Sequence, residues 1–141
     1  MISNLSIREV TLEELIDRGV KFHGHLGTFL VLGIKMGILA LKKLNSKGYF
    51  DLSVAVELEK HPPVSCLVDG IQISTGCSLG KGNIKVKQNN QLVKAIFNKD
   101  EHNLSIQLKP EILNMINFME ESCEEIADKV AKMSDEKLFI F

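Results

Sequence analysis

Cysteine is scarce in this chain: there are three in 141 residues, an odd number with no short spacing between any two. That excludes the disulfide framework of a small secreted scaffold and predicts a reducing compartment. Charge of one sign is lacking as well, since 17 basic residues against 18 acidic leave a formal net charge of −1. Such a balance gives no footprint for nucleic acid. The opening MISNLSIREV has no basic segment followed by an apolar run, so no export signal is expected. The one long apolar stretch, Leu26 to Leu41, is shorter than the roughly 18 residues of a membrane span and carries Lys35 near its middle. It predicts a buried helix in a soluble, cytoplasmic protein with no membrane partner. Two familiar motifs fail on spacing. Gly76-Cys-Ser-Leu-Gly80-Lys81-Gly82 is one residue too short between its glycines for a phosphate loop and has no Ser or Thr after the lysine. Cys66 and Cys77 lie too far apart for a CxxC redox pair or a zinc knuckle.

What is present suits one domain over residues 1–141, with 45% hydrophobic residues to build its core. Thr11-Leu-Glu-Glu14 is a capping box that opens a helix with Leu12, Leu15, Ile16 and Val20 on one stripe. From Gly27 to about Leu44 the repeat is again helical, with Leu30, Ile34, Ile38 and Leu41 as the core stripe and Lys35 and Lys42 on a polar strip. Gly33, Gly37 and Ala40 line another face, where a second backbone can come close, from a neighbouring helix or from the twin helix of a dimer. Leu52, Val54, Val56 and Leu58 alternate as in a half-buried strand. Further strands are expected at 84–87 and 92–98, joined as a hairpin across Gln88-Asn-Asn-Gln91, and around Leu104, Ile106 and Leu108. Pro110 opens one long predicted helix running through Cys123 to Val130, with Cys123 on its apolar stripe as core packing. The apolar Leu138 to Phe141 predicts an edge strand or a partner contact, and with the small-residue face it makes a homodimer the expected assembly. Helices and strands without regular βαβ alternation make the class α+β, an antiparallel sheet of about four strands packed with helices.

Chemistry concentrates in two places. Phe22-His23-Gly24-His25 has two imidazoles that reach one ion together if the backbone is extended there. Pro62 to Asn83 contains two of the three cysteines; Pro63 to Ser74 reads as a helix capped by Gly76, with Cys66, Asp69 and Ile73 on one face and Gln72 alongside. The pooled candidates are His23, His25, Cys66 and Cys77 as ligands, with His61 at the edge. Imidazole with thiolate suits zinc or another borderline-soft divalent ion. Asp69 and Gln72 would orient the ligands, and Lys81 lies nearby in sequence for a bound cofactor. A competing reading makes Cys66 or Cys77 the nucleophile of an enzyme acting on a small molecule or cofactor, with Asp69 beside it. A third makes the chain a purely structural interaction protein.

At these residues the chain resembles the FmdE family, the E-type component of formylmethanofuran dehydrogenase. The resemblance rests on Phe22-His-Gly-His-Leu26 before a Gly-rich helix, then Ser65-Cys-Leu-Val-Asp-Gly-Ile-Gln72 leading to Thr75-Gly-Cys-Ser-Leu-Gly-Lys-Gly-Asn83. It implies an α+β core domain, usually dimeric, with a metal or reactive-cysteine site built from the histidine motif and the two later cysteine positions. It also implies association with the molybdenum or tungsten enzyme that fixes carbon dioxide onto methanofuran. Two departures stand out. The commoner family pattern has a cysteine and a proline after HGHL, where this chain has Gly27 and Thr28, and the cysteine-rich tail of many relatives is not found before Phe141.

Overall fold

A computed structural model describes residues 5–141, so the first four residues of the N-terminal segment lie outside it. Thr11 accepts the Glu14 amide at 3.2 Å and starts α1 (Leu12–His23), as its capping box predicts. The helix stops on Gly24, whose φ of 108° is open to glycine and costly to other residues. Helix α2 (Thr28–Leu44) is the centre of the molecule, buried along almost its whole length from Thr28 to Leu41. It packs against α1 and against α3 (Leu67–Thr75), which a 3₁₀ turn at Val64–Cys66 leads into and Gly76 caps. No helix among the described residues is long and apolar enough to cross a membrane.

The Gly33/Gly37 face meets α3 of the same chain. A β-carbon on Gly33 would stand 2.0 Å from the Leu67 carbonyl oxygen, and one on Gly70 of α3 would stand 2.2 Å from that of Leu30. Lys35 departs from the expected polar strip: it is buried, and its ammonium donates to the carbonyls of Val130, Ala131 and Met133 at the end of α5 (Cys123–Lys132). The Val130 carbonyl also accepts the Met133 amide at 3.1 Å, and a cation at a helix C-terminus meets the favourable end of its dipole.

Beside the helices lies a five-stranded sheet in the order β2-β1-β3-β4-β5, built from β1 (Ser53–Leu58), β2 (Ile84–Gln88), β3 (Lys94–Lys99), β4 (His102–Leu108) and β5 (Phe139–Ile140). The α+β class holds, with one strand more than expected and one parallel pair, β1 with β2, joined through α3. The hairpin expected across residues 88–91 does not form. β1 lies between β2 and β3, and the connecting loop instead ties to its end through Asn89 N–H donating to the Leu58 carbonyl at 2.9 Å. The side chains explain the order: Val54, Val56 and Leu58 are buried and suit a central strand, while Lys85 and Lys87 are exposed and suit an edge. The C-terminal strand pairs with β4; Leu138 just before it and Phe139 within it are buried, and Ile140 and Phe141 are exposed.

The predicted long C-terminal helix is two helices, α4 (Pro110–Phe118) and α5, separated by Met119 to Ser122, and a single turn, α6 (Asp135–Leu138), follows. Ser122 accepts the Glu125 amide at 3.2 Å and so begins α5 at Cys123. Cys123 is therefore exposed in a first turn, not core packing.

Candidate functional site

The turn between α1 and α2 presents both histidines. His23 is the last residue of α1, not part of an extended strand, yet the left-handed Gly24 reverses the chain at once and brings the His25 ring back. The ring centroids are 4.9 Å apart and tilted by 60°. Asp69, on the first turn of α3, sits with Oδ2 2.6 Å from His23 Nδ1. A carboxylate only accepts, so Nδ1–H donates, the usual way a carboxylate fixes the orientation of a ligating histidine.

A cavity of about 450 Å³ opens beside these rings. His23, His25, Cys66 and Cys123 line it with Gly27, Glu121 and the apolar Phe29, Ile116 and Ile126. Cys66 enters from the 3₁₀ turn before α3 and is half-buried. Burial pushes its thiol above the ordinary range, and Asp69 and Cys123 push it the same way. Among the described residues no three His, Cys, Asp or Glu side chains already converge as a metal cage. The side chains around the cavity nonetheless are of the types found in zinc sites, imidazole and thiol with a carboxylate behind one ring.

The remaining candidates lie elsewhere. Cys77 is fully buried, with Sγ 3.6 Å from the Leu52 carbonyl, and burial raises its thiol too. With Gln72 and Lys81 it borders a separate, smaller cavity of about 280 Å³. The Lys81 ammonium lies 5.8 Å from the Tyr49 ring centre and 5.6 Å from that of Phe50. His61 is exposed, with Nδ1 on the carbonyl of Pro62 at 2.6 Å, and does not line the histidine cavity. The structure thus brings His23, His25, Cys66 and Asp69 together and leaves Cys77, Gln72 and Lys81 apart. It adds Cys123. Ser122-x-x-Glu125 is a capping box in the sequence, and it signals that a new helix starts there and takes Cys123 off the apolar stripe.

A small α+β domain with a His/Cys-lined cavity at the mouth of its central helix is the class that fold and cavity define. Residues 22–140 match the family described as "FmdE, Molybdenum formylmethanofuran dehydrogenase operon", and the chain belongs to that family. It is also 35% identical over 74 residues to a "Probable S-adenosyl-L-methionine-binding protein" of Archaeoglobus fulgidus. That match takes in 52% of this chain and only 20% of the archaeal protein.

Proposed function

We propose that the chain is a metal-binding FmdE domain in which His23, His25 and Cys66 hold a divalent transition ion, zinc in the first instance. The observation that carries this reading is the Asp69–His23–cavity arrangement. A carboxylate fixes one imidazole that lines the cavity, a second imidazole has its ring centroid 4.9 Å away, and a thiol lines the same space. Bound there, the ion would act as a Lewis acid or as a structural cross-link. The chain's own residues fix the His23 tautomer, shelter the site with apolar walls and supply the thiol. Cys66 is held protonated by burial and by Asp69 in the absence of a cation, the opposite of an activated nucleophile, so the cysteine-enzyme alternative draws less support. A second use of the cavity is favoured by its size, which suits a small organic ligand. S-adenosyl-L-methionine, named for the archaeal relative, is the first compound to try there. In the cell we place the domain in the cytoplasm, in one-carbon metabolism, as an accessory to a molybdenum or tungsten formylmethanofuran dehydrogenase.

Elemental analysis of untagged protein, purified without chelators and offered zinc, tests the reading. One equivalent of transition metal is expected. Cys66→Ser and His25→Ala should lose it, while Cys77→Ser and His102→Ala should keep it. A protein that takes up no stoichiometric metal would leave the site without its ion and end the proposal.

A further inference from the structure

Position 27 points to a residue the histidine motif does not contain. A β-carbon built on Gly27 would lie 3.5 Å from His25 Nδ1, 3.0 Å from its Cε1 and 3.9 Å from Cys123 Sγ. One imidazole nitrogen and one sulfur therefore flank a single small volume, within 4 Å of one point, and the glycine leaves that volume free. Cys123 lines the same cavity as Cys66 and both histidines. It is exposed on the first turn of α5, and among the described residues its sulfur is held only by a long 3.9 Å approach to Thr28 Oγ1. Rotation about one side-chain bond swings such a thiol without disturbing the helix. The backbone is firmer, because Ser122 caps α5 and Lys35 holds its far end to α2.

We propose that Cys123 is the second thiol of the site and, with Cys66, His23 and His25, completes a two-sulfur, two-nitrogen set for a zinc-class ion. This rests on the metal reading above. Its consequence is a closed tetrahedral site, as in structural zinc centres, and not one with a position left open for water or substrate. Binding releases the two thiol protons to solvent with no change of oxidation state.

Cobalt(II) titration of the purified full chain tests it, because each thiolate adds its own sulfur-to-cobalt absorption in the near ultraviolet. The unaltered protein should bind one cobalt with the band of two thiolates. Cys123→Ser should halve the band and weaken binding by about tenfold or more, the least that loss of even an outer partner costs. Cys77→Ser should change neither. Circular dichroism checks that each variant is folded, and Cys123→Ala serves as a second variant should serine bind the ion through its hydroxyl. If Cys123→Ser and Cys123→Ala keep the full band and affinity, Cys123 is no ligand, although the three-ligand reading survives. If the unaltered protein binds no cobalt at all, the metal reading fails and this one with it.

Discussion

Three thiols of one chain sit in three environments. Cys123 is exposed, Cys66 is half-buried beside Asp69, and Cys77 is sealed in the core. Alkylation requires thiolate and access, so in metal-free native protein Cys123 should react first, Cys66 more slowly and Cys77 only on unfolding. That order reverses what the apolar stripe suggests for Cys123, and mass spectrometry of a timed iodoacetamide reaction reads it directly. Equal rates at Cys77 and Cys123 would contradict the burial of the one and the exposure of the other. The pH dependence has a definite sign. Folding holds the protons of Cys66 and Cys77 more tightly than the unfolded chain does. Their contribution to stability is therefore whole below the ordinary thiol pKa and is lost as pH climbs through the raised values. Alkaline solution should loosen the fold while it speeds their alkylation. Zinc should protect Cys66, and Cys123 with it.

Between α2 and α3 the contact is backbone on backbone, and that is a statement about whole elements. Gly33 and Gly70 each oppose a carbonyl of the facing helix, closer than any β-carbon can stand. Gly33→Ala or Gly70→Ala forces the helices apart and should cost about 1–3 kcal/mol or more. Gly80→Ala should stay within about 0.5 kcal/mol, because its β-carbon would meet nothing within 4 Å. Urea unfolding of the three variants makes the comparison, and a Gly33→Ala protein as stable as Gly80→Ala would mean the helices are not packed this closely. The small-residue stripe was readable in the sequence, but its partner was not: helical spacing shows that something comes close without saying which helix. The strands were legible for a similar reason and to a similar limit. Alternation at Leu52 to Leu58 and Leu104 to Leu108 marks one buried face, while the order of strands depends on pairings that alternation does not encode. Hence β2 and β3 read as a hairpin although β1 separates them. Lys35 was misplaced because a helical wheel assigns lysine to water, and only the end of α5 supplies the carbonyls that let it be buried.

At the scale of the molecule, the candidate site is a meeting of segments far apart in the chain: residues 23–27 at the α1–α2 turn, Cys66 before α3, and Cys123 at the start of α5. The histidine motif and Cys66 were legible as chemistry. Their company was not, because proximity in sequence favoured Cys77, Gln72 and Lys81, which the fold turns toward another cavity. The small-residue ground for expecting a homodimer is also taken up inside the chain, and half of the apolar tail is buried by β5. Any self-association would have to use what is left exposed, chiefly Phe50, Leu79 and Phe118.

An ion that ties three distant segments binds the folded chain in preference to the unfolded one, so it should stabilise the whole and not one loop. At a free concentration a hundredfold above Kd the gain is about 2.7 kcal/mol, which for a domain of this size raises Tm by on the order of 10 °C. Protons compete for the same imidazoles and thiolates, and the gain should shrink steadily as pH is lowered from neutrality. Thermal melts with zinc, with a chelator, and across that pH range give the three comparisons. Amide exchange locates the effect. Protection should rise at residues 24–27 and at the first turn of α5, two segments that both border the cavity. A metal-induced rise in Tm with protection confined to the end of α1, residues 24–27 and the start of α3 would fit an ion held by His23, His25 and Cys66 alone. Protection reaching Cys123 and its neighbours would bring α5 into the site.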